Sequence, residues 1–226
     1  MSQTNATCTK PRSSNLELYR IICMLMIVAH HSVVHSGLGD VLSSNPLSCK
    51  SIFLNWFGMW GKTGINCFLM ITGYFMCKSK ITVRKFIKLL LEIYLYRIVI
   101  YLLLLAAGYE VVSFKKIFVL MMPVWGFTTN FVSCFLGFYL TIPFLNILIS
   151  NMTQRQHQLL LLLMFGMYSV LGNIPSFNIA MNYVSWFGVI YLLASYIRLY
   201  PSPIIENRIF WAAITLISIA IRWGQW

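Results

Sequence analysis

The residues with the most chemical potential lie in one apolar stretch, residues 16–36, which reads LELYRIICMLMIVAHHSVVHS. The stretch is long enough for a membrane span, yet it carries an acid, a base and three imidazoles. Ionisable groups in a bilayer are costly, so they tend to be paired, to face the interior of a helix bundle and to serve a function. These residues are Glu17, Arg20, His30, His31 and His35.

Helix geometry selects among these side chains. Arg20 and His31 are eleven residues apart, so they lie within about 20° of the same helix face and about 16 Å apart along the axis. Glu17 precedes Arg20 by one turn, in reach for an ion pair, and His35 follows His31 by one turn. His30 is rotated about 80° away from Arg20, which makes His31 the better candidate imidazole. An interfacial, snorkelling role stays open for Arg20 taken alone.

The composition predicts a membrane protein. The 226 residues are 59% hydrophobic and 10% charged, with a mean hydropathy of +0.75, whereas a soluble domain is about half apolar and about a quarter charged. The net charge of +12 is explained by the positive-inside rule, and no nucleic-acid-binding motif accompanies it, so we expect no nucleic-acid partner. The six cysteines form no Cys-x-x-Cys pair and no zinc-ligand spacing. We therefore expect no metal and no permanently bound cofactor.

The hydrophobic runs predict an all-α bundle of about seven spans, built as one domain over residues 1–226. A polar loop is expected over residues 37–51, a strongly basic segment over residues 78–88, and a short amphipathic interfacial helix over residues 113–123. The predicted spans cover residues 16–36, 54–77, 89–107, 129–150 (bent near Pro143), 157–172, 183–200 and 209 to the end.

The basic residues predict the orientation of these spans. If the N-terminus faces the cytoplasm, ten Lys and Arg residues fall in cytoplasmic segments and three in the opposite loops, which is the expected bias. The ten are Lys10, Arg12, Lys78, Lys80, Arg84, Lys85, Lys88, Arg155, Arg198 and Arg208, and the three are Lys50, Lys115 and Lys116. Arg20 then starts at the cytoplasmic surface, and His31 lies beyond it toward the outer half of the membrane.

Four segments resemble the integral-membrane acyltransferase-3 family, whose members are mostly bacterial O-acetyltransferases of surface glycans. The family places an Arg, ten residues and then a His in its first helix, as Arg20 and His31 do here, often with an acid where Glu17 stands. The other three segments are GKTGINCFLMITGYF at 61–75, FLGFYLTIPFLNILI at 135–149 and WFGVIYLLASYIRLY at 186–200. Four matches in the right order are much more specific than one.

The resemblance implies a multi-pass enzyme of the bacterial cell membrane that moves an acyl group, acetyl above all, from acyl-coenzyme A to a hydroxyl of a glycan or lipid-linked saccharide. It implies catalytic roles for His31, Arg20 and Glu17. The imidazole is either a general base or a relay for the acyl group. Acetyl-coenzyme A enters as a substrate, and the lipid bilayer is the surrounding partner.

The candidates for binding the donor are basic residues. Lys85 and Lys88, with Arg84 beside them, stand where the family carries an Arg-x-x-Arg motif, although lysine lacks the bidentate fork of arginine. The segment also serves as a plain topology signal. Lys62, inside the second predicted span, is a further candidate, with snorkelling at the outer interface as the alternative.

Two other function classes stay open on the sequence. Family members have more spans than this chain offers, which leaves open a C-terminal truncation and an inactive fragment that packs against a partner subunit. Buried Arg, Glu and His also build proton relays in transporters. Against the transporter, the sequence has no internal repeat and no pair of broken helices in corresponding halves.

Overall fold

The computed structural model describes residues 14–122, 131–174 and 182–223. Every regular element in these ranges is helical, which confirms the all-α prediction for the described residues. In chain order the helices are α1 (Ser14–His35), α2 (Leu38–Ser44), α3 (Cys49–Gly58), α4 (Gly61–Met76), α5 (Val83–Ala106), α6 (Phe114–Met121), α7 (Phe131–Asn151), α8 (Gln154–Phe165), α9 (Tyr183–Leu199), α10 (Pro203–Glu206) and α11 (Arg208–Trp223). Helix α8 continues into a π turn and a 3₁₀ turn, Gly166–Val170 and Leu171–Asn173.

Three of the described helices, α1, α5 and α7, are long and apolar enough to cross a membrane. Helix α9 and residues Arg208–Ser218 of α11 are also apolar but shorter. The protein is therefore a multi-pass membrane protein. The other predicted spans fall on helices of at most 17 residues, at or below the lower limit of about 17 residues for crossing the hydrocarbon layer.

The second predicted span, residues 54–77, is divided into two helices. Helix α3 ends at Gly58, α4 begins at Gly61, and Met59 and Trp60 form a turn between them. Both glycines face α1 at close range, since a Cβ added to Gly58 would lie 3.0 Å from the Cβ of Val33. Apolar residues continue through the turn, and hydropathy therefore does not register it.

The predicted polar loop over residues 37–51 is largely helical. Gly37 separates α1 from α2 with a φ of +75°, a conformation that glycine adopts without a steric penalty. Ser48 then starts α3 as its N-cap, with its side-chain oxygen accepting from the backbone N–H of Ser51 at 3.2 Å. Capping of this kind commonly contributes about 1 kcal/mol to helix stability.

Helix α5 begins six residues before the predicted third span. Thr82 is its N-cap in extended conformation and Val83 its first residue, so the basic residues predicted to lie in a loop sit on the first two helical turns. The interfacial helix predicted over residues 113–123 is present as α6.

The chain divides into two compact units, residues 1–71 and residues 72–226. In the first unit, α1 packs against α2 and α3, and α4 approaches α1 through its glycines. A Cβ on Gly64 would lie 2.9 Å from the carbonyl oxygen of Cys23. Small residues at such positions let two membrane helices pack backbone to backbone.

The core of the second unit lies between α7 and α9, with α8 packed on α9. The ring of Phe138 meets Phe187 and Tyr191 edge to face, at centroid separations of 5.9 and 5.7 Å, and all three side chains are fully buried. Aromatic pairs in this geometry add about 0.5–1.5 kcal/mol beyond their buried area. The last turns of α4 join this unit, since a Cβ on Gly73 would lie 2.8 Å from the Cβ of Ala194.

Candidate functional site

Helix α1 carries the candidate catalytic residues on an unbroken run of 22 residues. Because the helix is continuous, Arg20 and His31 keep their predicted common face, about 20° apart around the axis. Both side chains are exposed in the structure. Neither Arg20 nor a ring nitrogen of His31 has a hydrogen-bond partner among the described residues. Both therefore remain available to a ligand.

His30 is bound to the neighbouring helices. Its Nδ1 lies 2.6 Å from the carbonyl oxygen of Gly58, and since a carbonyl only accepts, Nδ1 donates. The ring also lies against α4, where a Cβ on Gly61 would be 2.3 Å from the Cγ of His30. His30 thus holds α1 against α3 and α4.

The three imidazoles near the end of α1 form a contiguous group. The rings of His31 and His35 are stacked, with centroids 5.2 Å apart and planes inclined by 16°, and His30 meets His31 edge to face at 5.8 Å. Among the described residues, no three His, Cys, Asp or Glu side chains converge to hold a metal ion. The group is therefore a set of ring contacts in which one member is hydrogen-bonded to the backbone.

Glu17 and Arg20 occupy the first two turns of α1, and both are exposed. No ion pair joins them in the part of the chain that the structure describes. Lys62 lies in the first turn of α4 and is exposed as well, one residue beyond the Gly61 contact with α1.

The predicted donor-binding residues separate into two kinds on α5. Lys85 donates from Nζ to the carbonyl oxygen of Lys80 at 2.8 Å, which closes the turn before the helix. Lys88 lies 3.8 Å from Glu92 in an exposed i,i+4 pair, a contact worth only about 0.3–0.5 kcal/mol. Arg84 is exposed, with no ion-pair or hydrogen-bond partner among the described residues. Arg84 and Lys88, one turn apart, are thus the two cations free to bind an anion.

A polar network in the second unit was not among the predicted site residues. The Asn146 Nδ2 donates to the carbonyl oxygen of Met76 at 3.1 Å, and the hydroxyl of Tyr191 donates to Asn146 Oδ1 at 2.6 Å. Beside it, Arg198 Nη1 donates to the hydroxyl of Tyr74 at 2.6 Å, with the guanidinium carbon 4.5 Å from the ring centroid. These contacts join the end of α4 to α7 and α9.

His157 is a second residue that sequence reasoning missed. It is fully buried at the start of α8, where its Nε2 lies 3.0 Å from the carbonyl oxygen of Leu192. Its ring meets Tyr196 and Tyr200 edge to face, at 5.3 and 6.0 Å. Its Nδ1 is buried without a partner in the described residues. Because its polar contact is a backbone carbonyl of the adjacent helix, we interpret His157 as a residue that joins α8 to α9.

The motifs themselves were the signal for the missed network. Tyr74 belongs to the segment at 61–75, Asn146 to the segment at 135–149, and Tyr191 and Arg198 to the segment at 186–200. The structure brings the polar members of these separate segments into direct hydrogen bonds.

Comparison with known families completes this description. The sequence model of a family described as an acyltransferase domain matches residues 13–226. The chain belongs to the acyltransferase-3 family. This confirms the resemblance seen in the four sequence segments and implies a membrane acyltransferase. No curated protein and no solved structure matches the chain.

Proposed function

We propose that this protein transfers an acetyl group from acetyl-coenzyme A to a hydroxyl of a cell-surface glycan or lipid-linked saccharide. One observation carries the proposal: Arg20 and His31 share an exposed face of α1 with their nitrogens unengaged. Membership in an acyltransferase family gives the reaction class. The acetyl group, the donor and the glycan are the finer parts of the proposal.

In the proposed reaction, a ring nitrogen of His31 accepts the proton of the acceptor hydroxyl. The oxygen attacks the thioester carbonyl, a C–O bond forms, and the C–S bond to coenzyme A breaks. The departing thiolate then takes the proton from the imidazolium, so that protons and charges balance. An imidazole suits this exchange near neutral pH. Relay of the acyl group through the imidazole is the alternative with the same residue.

The donor side of the proposal rests on charge. Coenzyme A is a soluble polyanion of the cytoplasm, and charge-assisted hydrogen bonds to its phosphates are the strong kind. In the orientation with the N-terminus inside, Arg20 and the first turns of α5 face the cytoplasm. Glu17 and Lys62 keep the roles that the sequence assigns them, Glu17 beside Arg20 and Lys62 as a further cation.

The proposal is tested by following label from [¹⁴C]acetyl-coenzyme A into the glycan fraction of membranes that contain the protein. Transfer that requires the protein supports the proposal. A transporter leaves no covalent product, so the absence of labelled glycan, together with unchanged acetyl signals in NMR spectra of the surface glycans when the gene is removed, would contradict it.

Reversing the charge of Arg84 and Lys88 is expected to weaken the binding of coenzyme A. The double variant Arg84→Glu/Lys88→Glu removes two phosphate partners and adds two repulsive carboxylates, for which we expect about a tenfold to hundredfold rise in Kd. Equilibrium binding of labelled coenzyme A to the purified protein measures the change. Glu92→Gln, which releases Lys88 from its exposed pair, is a control of opposite sign and is expected to lower the Kd slightly. Unchanged affinity in a correctly inserted double variant would remove these residues from the donor site.

Cysteine labelling of intact cells tests the orientation. With the six native cysteines replaced by serine, Lys80→Cys is expected to stay unreactive toward a membrane-impermeant maleimide, because its loop faces the cytoplasm. Asp40→Cys, in α2 on the opposite side, is expected to react. The reverse pattern would place Arg20 and the basic turns of α5 outside the cell, away from cytoplasmic coenzyme A.

A further inference from the structure

Helices α5 and α6 form a hairpin that is fastened at both ends. At the loop end, Lys116 pairs with Glu110. At the far end, the hydroxyl of Tyr94 donates to the carbonyl oxygen of Met121 at 2.8 Å. Gly108, with a φ of +75°, allows the chain to leave α5 and turn back. The separation of the two helices is therefore set by specific contacts.

Between these two fastenings lies a cavity of about 430 Å³. It is lined by Arg97, Lys115, Lys116, Val119 and Leu120. Three of the five lining residues are cations, and Glu110 offsets only Lys116. Lys115 has no carboxylate partner among the described residues. The cavity thus carries two uncompensated positive charges beside an apolar wall.

The face of α5 toward this cavity also holds unsatisfied donors. Arg97 and Tyr101 follow Tyr94 by three and seven residues, which places all three on one helix face. Arg97 Nη1 and the Tyr101 hydroxyl are buried, and neither has a partner within the described part of the chain. A buried donor without a partner is expensive, and a charged one in a membrane-spanning helix more so. A ligand that accepts from both groups would remove that cost.

We propose that this cavity binds a phosphate group, held by Arg97 and Lys115, with the Tyr101 hydroxyl as a further donor. A phosphate offers several acceptor oxygens and a negative charge, which matches a guanidinium, an ammonium and a hydroxyl. The apolar wall and the exposed Phe114 and Phe118 of α6 leave room for a phosphate on a lipid headgroup as well as a free one. The inference does not rest on the proposed acyl transfer, because its test measures binding alone.

The test uses the full chain, purified in a non-ionic detergent, and native mass spectrometry to count bound ligand. The probes are dioctanoyl phosphatidic acid, dioctanoylglycerol, which has the same tails without the phosphate, and inorganic phosphate. We expect phosphatidic acid to bind and dioctanoylglycerol to fail. Arg97→Gln and Lys115→Gln should each raise the Kd about tenfold or more. Lys50→Gln removes one exposed positive charge outside the cavity and is expected to change nothing.

The arms distinguish the sources of the phosphate. Binding of inorganic phosphate alone, lost in Arg97→Gln, assigns the site to a free phosphate, and binding of phosphatidic acid without it assigns a lipid headgroup. If Arg97→Gln does not fold, Lys115→Gln, an exposed residue of α6, gives the same reading. Equal binding of dioctanoylglycerol, or the same Kd for phosphatidic acid in Lys115→Gln and Lys50→Gln, would overturn the proposal.

Discussion

Replacing His31 with alanine is expected to lower acetyl transfer by about 10²–10⁴-fold, the contribution typical of a positioned general base. The ring nitrogens of His31 have no hydrogen-bond partner among the described residues, so the substitution removes little that the fold uses. The measurement is the rate of label transfer from acetyl-coenzyme A in membranes, normalised to the amount of inserted protein. The parent protein must show transfer under the same conditions.

His30→Asn is the matched control. The Asn side-chain amide can take the place of the imidazole Nδ1 and donate to the carbonyl oxygen of Gly58, which His30 contacts at 2.6 Å, but it cannot act as a base. We expect transfer within a few-fold of the parent rate, in the range of ordinary surface and packing effects. A dead His30→Asn with an active His31→Ala would reverse the assignment. Two active variants would remove the imidazole from the mechanism.

Asn146→Leu is expected to destabilise the second unit by about 2–5 kcal/mol, because it leaves two partners without a hydrogen bond. These are the hydroxyl of Tyr191, on a side chain only 1% exposed, and the carbonyl oxygen of Met76. The measurement is the thermal unfolding midpoint of the purified protein in detergent. Tyr191→Phe, which removes one of the two bonds, is expected to cost about 1–3 kcal/mol.

The neighbouring Asn151 provides the comparison. It lies on the same helix, but its Nδ2 donates to the carbonyl oxygen of Ile147 within α7, and the residue is exposed. Asn151→Leu should therefore change stability by about 0.5 kcal/mol or less. If it costs as much as Asn146→Leu, the bonds between helices contribute no more than a local one.

The sequence predicts helices where hydropathy and length act together. Residues 16–36 and 129–150 match α1 and α7 within about two residues, because twenty consecutive apolar residues leave few alternatives to a helix. The break at Met59 and Trp60 could not be found in this way. It depends on the close approach of α1 to Gly58 and Gly61, a tertiary contact that leaves no mark on hydropathy.

The candidate site divides along the same line. The common face of Arg20 and His31 follows from helix geometry and needs no structure. The separate role of His30 depends on the carbonyl of Gly58, 28 residues away, and no local pattern contains that partner. The same holds for Asn146 and Tyr191, which meet across 45 residues. For Lys85, the bond to Lys80 follows from a helix start that the sequence placed too late.

The glycine contacts of α1 bear on how this sequence can diverge. His30 is bound to Gly58, and Gly61 and Gly64 leave no space for a side chain beside α1, so the helix has one rotational setting in its unit. One residue inserted between Arg20 and His30 would turn Arg20 by about 100° relative to His31. Descendants of this chain are therefore free to exchange many side chains along the exposed flank of α1. An insertion or deletion in that interval, in contrast, would separate the arginine from the imidazole even if both were retained.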